Sequence, residues 1–217
     1  MSRKIVPLTG DRLATLPPEV AGCLFWEYAP VERERIDTED RLVAKQAWLR
    51  RVESEWGGCG QVALLGDEVR GLMVYAPGSL LPGIAALPSA PASPDAVVMG
   101  AAWVAPDRRR HGVGRMLVQA MARDLVKRGD VRAVEAFGVQ AGPATGCVLP
   151  AVFLGATGFR TQRSHPYLVR MRMDLATTRP WRDEVESALD LIAGVVRRPA
   201  PPVRPEARAA ESAGQST

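Results

Sequence analysis

Trp103-Val-Ala-Pro-Asp-Arg-Arg-Arg-His-Gly-Val-Gly-Arg-Met-Leu117 is the stretch on which the reading of this 217-residue chain turns. Ahead of it, Asp95 to Val104 is mostly apolar, with Val97, Val98 and Val104, the pattern of a buried central strand; Gly100 is placed for a bulge. Behind it, a helix is predicted from about Gly114 to Arg128, with Leu117, Met121 and Leu125 as its inner stripe and Arg128-Gly129-Asp130 as its stop. A buried strand, a basic loop and a glycine-led helix make an anion site. The first turn of a helix leaves backbone N–H groups without internal partners, and the helix dipole adds positive character there. Gly112 and Gly114 remove Cβ atoms, so a phosphate can approach the backbone. Arg108, Arg109, Arg110 and Arg115 crowd the same spot. Leu117 stands where a dinucleotide fingerprint wants its third glycine, which disfavours a Rossmann site. The competing reading is a helix entry with two convenient glycines and a solvated Arg run.

Working outward, Ile5 to Leu8 reads as a first strand, and Asp11 to Leu16 as a helical turn stopped by Pro17-Pro18. Cys23-Leu-Phe-Trp-Glu27 is an apolar cluster with one acid. A helix is predicted from about Glu39 to Glu55, with Val43, Ala47, Trp48, Val52 and Trp56 on its inner face and Gly57-Gly58 at its end. Gln61 to Leu65 and Val69 to Tyr75 flank Gly66-Asp67-Glu68 as a β-hairpin. Residues 76–94 hold five prolines and read as a loop. Downstream come a strand from Val131 to Val139, a loop over 140–146 and a short helix at about 150–156 ending near Gly158. Phe159–Thr161 and Tyr167–Leu175 read as closing strands around a His165-Pro166 turn. Trp181 to Val196 is amphipathic and helical, with Val185, Leu189, Ile192 and Val196 on one stripe. The Pro-rich stretch 197–217 has too little apolar surface to offset chain entropy and is expected to be disordered.

Composition bounds the function classes. Hydrophobic residues make up 47% and charged residues 24%, which is ordinary for a globular chain and excludes a wholly disordered or collagen-like one. The formal net charge is +4, and arginine, a residue suited to two-pronged contacts with phosphate, supplies nearly all the positive charge; codon bias is the other reading of that excess. Cys23, Cys59 and Cys147 make no CxxC pair or finger spacing and read as buried reduced thiols. With two histidines, His111 and His165, and no HExxH, no metal is expected. There is no GxSxG elbow and no Walker A loop. No apolar h-region opens the chain and no apolar run reaches 18 residues, so neither a signal peptide nor a membrane helix is expected, and a cytoplasmic location is.

Arg109-x-x-Gly112-x-Gly114 resembles the pyrophosphate-binding motif of the GNAT superfamily of acyl-CoA-dependent N-acetyltransferases. The order of elements is similar too: helix, hairpin, long central strand (Val97–Val104), glycine-led helix, strand (Ala133–Val139), short helix with Gly158-Phe159, and closing hairpin. The likeness covers about 60–175 well and 1–59 loosely, and Cys23-x-Phe-Trp-Glu27 resembles that of some actinobacterial members. It implies an α/β (α+β) fold with a mixed, mostly antiparallel central sheet flanked by helices. Residues 1–176 would be the acyltransferase domain, 177–196 a C-terminal helix and 197–217 a tail. It implies acetyl-CoA as co-substrate, bound by the edge of Ala102, Trp103 and Val104 and by Arg109, Arg110, His111, Gly112, Val113, Gly114 and Arg115, between two strands that splay apart.

The reaction so implied is direct transfer of an acetyl group to a primary amine of a small molecule or protein. A base must take the ammonium proton. Glu135, inside an apolar strand, is the candidate catalytic or substrate-contacting acid, with structural pairing to an Arg as the other reading. The family's usual Tyr acid falls at Leu154, and its usual Asn at Cys147, so both are absent. Tyr167 and His165 are the candidate substitutes, against packing and a turn; Cys147 as nucleophile lacks a base. The acids Glu27, Glu32, Glu34, Asp37 and Glu39 either greet a cationic amine or form a solvated run. The alternative function is a non-catalytic acyl-CoA-binding module acting through a protein partner. Nucleic-acid binding through Arg108–Arg110 lacks a stacking aromatic series. A homodimer is left open.

Overall fold

The computed structural model describes residues 3–140 and 147–178. The strands are β1 (Arg3–Pro7), β2 (Gly60–Leu65), β3 (Glu68–Pro77), β4 (Ala96–Val104), β5 (Ala133–Val139), β6 (Leu149–Pro150), β7 (Arg160–Arg163) and β8 (Leu168–Asp174). The helices are α1 (Gly10–Ala14), α2 (Pro18–Ala21), α3 (Pro30–Glu34), α4 (Arg41–Glu55), α5 (Val113–Arg128) and α6 (Ala151–Ala156). The strands form one mixed sheet in the order β1-β2-β3-β4-β5-β8-β7, with β6 paired to β5. All pairings are antiparallel except β4–β5 and β5–β6.

Alternation along the strands separates two cores. Leu72, Val74 and Ala76 of β3 face a layer holding Leu13, Trp26, Trp48 and Val52. Met73 and Tyr75 face Leu117, Val118, Met121 and Leu125 of α5 and Leu154 of α6. Each side chain on the inner α5 stripe is fully or nearly fully buried, as the periodicity predicts.

Several sequence expectations differ in detail. The first strand runs Arg3–Pro7 rather than from Ile5 to Leu8, because its register on β2 begins at Arg3↔Leu65. Pro17-Pro18 starts a helix as well as stopping one: Pro18 occupies the first turn of α2, where its missing N–H costs nothing. The face of α4 is rotated from the predicted stripe. Val43 is 59% exposed and Ala47 is exposed, while Lys45, Trp48, Leu49 and Val52 are buried. Those four keep helical spacing, but the stripe carries a lysine because a buried carboxylate, Glu27, meets it. The predicted loop over 76–94 contains two 3-10 turns, Gly78–Leu80 and Pro82–Ala86. The predicted helix 181–196 and tail 197–217 lie outside the described residues.

Candidate functional site

The central strand β4 has two halves. From Ala96 to Met99 it pairs with β3 on one edge and with β5 on the other. The β3 register then advances from Tyr75↔Met99 to Met73↔Ala102, so β4 holds one extra residue at Gly100–Ala101. That is the bulge predicted at Gly100, and a bulge bends its strand. Pairing with β5 stops at Met99↔Ala136, although β4 continues to Val104 and β5 to Val139. β8 keeps the far edge of β5 along its whole length, so β6 joins Gly138 and Val139 on the edge that β4 has left. Ala105 donates its N–H to Arg70 on the β3 side at 3.0 Å. By alternation, Ala102 and Val104 direct their N–H and C=O groups into the gap. The Arg109 guanidinium donates to the Val104 carbonyl at 3.2 Å, in keeping with that direction.

The gap leads to the start of α5. Among the described residues, the backbone N–H groups of Arg110, His111, Gly112, Val113, Gly114 and Arg115 make no well-formed hydrogen bond to a protein acceptor. Gly112 is the N-cap, with φ 82° and no side-chain cap, and Arg110 also has positive φ, at 63°. A Cβ at Gly112 would meet nothing within 4 Å, so the space before these amides is open. Gly114 has a different reason to be glycine: its Cβ would stand 2.9 Å from the Phe153 ring on α6, so it permits helix packing rather than phosphate approach. The arginines are partly committed. Arg115 donates to the Ala156 carbonyl at 3.0 Å, and Arg108 pairs with Asp107 at 3.0 Å. His111 sets its Nδ1 2.7 Å from the Arg109 carbonyl. The fit of this loop to a diphosphate therefore rests on its backbone.

The segment after α2 covers the parted half of the sheet. Trp26 lies against Gly100, its Cγ 3.2 Å from where a Cβ would be, and beside Phe137 of β5 at 6.1 Å. Its indole donates to the Cys147 carbonyl at 2.8 Å. The next residue, Glu27, is 1% exposed and pairs with Lys45, also 1% exposed, at 2.9 Å. Lys45 donates to the Cys23 carbonyl at 2.7 Å. Neither Glu27 oxygen accepts a well-formed hydrogen bond among the described residues. Glu27 lines a cleft of about 540 Å³ with Tyr28, Glu32, Arg35, Arg51 and Ser79. The sequence offers Glu27 either as an acid meeting a cationic amine or as part of a solvated run, and does not single out Lys45; burial removes the solvated reading for Glu27. The available signals were one acid inside an apolar cluster and one lysine in register with Trp48, Leu49 and Val52.

Of the predicted catalytic groups, His165 and Tyr167 share one turn, with ring centroids 6.2 Å apart, while Glu135 stands on β5. Glu135 is fully buried, accepting from the Ser93 N–H at 3.0 Å and hydroxyl at 2.6 Å, with Arg170 and Arg172 each at 3.6 Å. Arg172 also chelates Asp95 at 2.8 and 3.0 Å, and its guanidinium holds the Asp95 carboxyl below its usual range. This is the structural Arg pairing named above as the alternative for Glu135. It lies where β4 and β5 are still joined, opposite Val98. His165 accepts from the Tyr167 and Leu168 N–H groups at 3.3 and 3.2 Å, which closes the turn. Tyr167 is 68% exposed at that turn. Leu154 is fully buried in the core under α5.

A model of the acetyltransferase (GNAT) family matches residues 23–144. Among curated protein sequences none matches. Solved structures with the same fold include PaiA N-acetyltransferase from Thermoplasma acidophilum in complex with coenzyme A. It is 15% identical, with 80% of this chain and 99% of that one covered and a TM-score of 0.52. YncA from Salmonella typhimurium, with its cofactor acetyl-CoA, is 17% identical over 81% of this chain and 95% of its own, at a TM-score of 0.52. Ribosomal-protein-alanine N-acetyltransferase from Brucella melitensis is 19% identical over 79% and 99%, at 0.51. At these identities the likeness is one of fold.

Proposed function

Because the chain belongs to the acetyltransferase (GNAT) family, we propose that it transfers an acetyl group from acetyl-CoA directly to a primary amine of a small molecule or protein. One observation carries this reading: the edge of β4 freed beyond Met99 is followed, after the 3-10 turn Pro106–Arg108, by six consecutive amides without a well-formed hydrogen bond. In this reading the N–H groups of Arg110 through Arg115 hold the pyrophosphate, with Arg109 anchoring the loop to Val104. Ala102 and Val104 hydrogen-bond the pantetheine arm as a missing strand would, and Trp103 between them keeps the β3 register. Bound there, the thioester supplies the acetyl group.

The chain's own groups fit the remaining steps unevenly. With both oxygens of Glu135 engaged, we assign that residue to holding β5 against β8. Glu27 is buried on Lys45 at the wall of the cleft, with its second oxygen unbonded, so we assign it to accepting a hydrogen bond from an acceptor amine that enters there. The amine nitrogen attacks the thioester carbonyl, the C–S bond breaks, and the amine proton leaves to water through the cleft. A thiol has a pKa of about 8.5, so its anion departs near neutral pH without a general acid. That suits a site where Leu154 stands in place of the usual tyrosine. His165 and Tyr167 then border the site as turn residues rather than proton donors.

A second reading, an acyl-CoA-binding module without turnover, draws on the same Leu154 and on the engagement of Glu135. The test has two stages. Acetyl-CoA should raise the thermal midpoint, since a ligand of the native state stabilises it. An amine panel should then give acceptor-dependent thiol release. No midpoint shift with any acyl-CoA sinks both readings; a shift without release in the whole panel leaves the binding module.

A further inference from the structure

We propose that Cys23 and Cys147 are a redox dithiol that closes to a disulfide by exchange with a low-molecular-weight disulfide. Their Sγ atoms lie 2.7 Å apart although the residues are 124 positions apart in the chain. Both are free thiols and half-buried, so a small reagent can reach them. A disulfide needs its sulfurs at about 2.05 Å with correctly placed backbones. Here both backbones are held: Lys45 binds the Cys23 carbonyl at 2.7 Å and Trp26 binds the Cys147 carbonyl at 2.8 Å. The two sulfurs stand about 0.7 Å beyond that bond length.

The environment also sets the order of events. The hydrogen bond from Cys147, helped by the Lys45 ammonium, holds the Cys23 thiol below its usual range, against the effect of burial. The same contact pushes Cys147 up. Cys59 is a built-in control: it is 2% exposed, and burial drives its thiol up to about 12. Thiolates, not thiols, attack disulfides. The Cys23 thiolate therefore attacks one sulfur of the external disulfide, forming a mixed disulfide and releasing one thiolate. Cys147 then loses its proton to the medium and attacks the Cys23 sulfur, releasing the second. One external S–S bond is reduced to two thiols, and one protein S–S bond is formed. The product ties the segment carrying Trp26 and Glu27 to the start of β6, across the parted strands. Nothing in this requires the acetyltransfer reading.

Oxidised glutathione, added to the reduced full-length chain at pH 7, should lower the denatured free-thiol count from the three cysteines of the sequence to one. The intact mass should fall by two hydrogens with no glutathione adduct, and a non-reducing digest should link the peptides of residues 23 and 147. The thermal midpoint should rise and return on adding dithiothreitol. Cys147→Ser should instead stop with glutathione on Cys23, while Cys59→Ser should behave as the parent. Three retained thiols, a stable adduct on the parent, a link through Cys59 or a link between two chains would each overturn the proposal.

Discussion

The two halves of β4 share one strand and differ in every physical respect that matters to the site. Ala96 to Met99 is hydrogen-bonded on both edges and buried on both faces, and its job is cohesion. Gly100 to Val104 is bonded to β3 alone, its last four residues are half-buried, and its free edge leads into unpaired amides. The difference comes from one extra residue at Gly100–Ala101. A sheet can thus gain a polar binding edge without any new side chain, by letting one pairing lapse under cover.

The largest expected effect comes from a proline in each half. Val98→Pro removes a donor or distorts a strand paired on both edges, and should abolish the folded state by circular dichroism. Ala102→Pro faces the open edge, so the chain should still fold cooperatively while its midpoint shift with acetyl-CoA shrinks. If the two variants unfold alike, the halves are not different. The next effect concerns the segment covering the open half. Glu27→Gln strands Lys45 as a buried unpaired charge and should cost about 3–5 kcal/mol in urea unfolding. A loss under 1 kcal/mol, on the order of a surface pair, would mean the ion pair is solvated.

Smaller again is Gly83→Ala. Gly83 donates to the Trp26 carbonyl at 3.1 Å, and a Cβ there would come 2.0 Å from the Phe25 carbonyl oxygen. Displacing that backbone should cost about 1–3 kcal/mol, the usual range for overpacking, and should shift Trp26 fluorescence. Gly112→Asp tests the free edge at least cost to folding. Its positive φ should cost about 1–2 kcal/mol. The carboxylate set before the free amides should weaken acetyl-CoA binding tenfold or more by calorimetry, about 1.4 kcal/mol. Unchanged affinity would move the pyrophosphate elsewhere.

Much of this was legible in the chain. The hairpin of β2 and β3, the valine-rich β4, the α5 stripe and the Arg109-x-x-Gly112-x-Gly114 loop each carry a local signal of period, turn or cap, and each forms at its expected place within a few residues. The catalytic candidates fared differently because partners at long range decide what a side chain does. Glu135 reads as a costly acid in a strand until Ser93, Arg170 and Arg172 are seen around it. Gly114 reads as a phosphate glycine until Phe153 is found against it.

By itself, the sequence determined the alternation of strands and helices and the anion-seeking start of α5, because hydrophobic period, glycine φ and unpaired helix amides are properties of neighbours along the chain. Tertiary structure alone decided where β4 leaves β5, that Lys45 and Glu27 share a buried site, and that Cys23 meets Cys147. Those are contacts between segments tens of residues apart. No local propensity encodes them, since their free energy exists only once the sheet has brought the segments together.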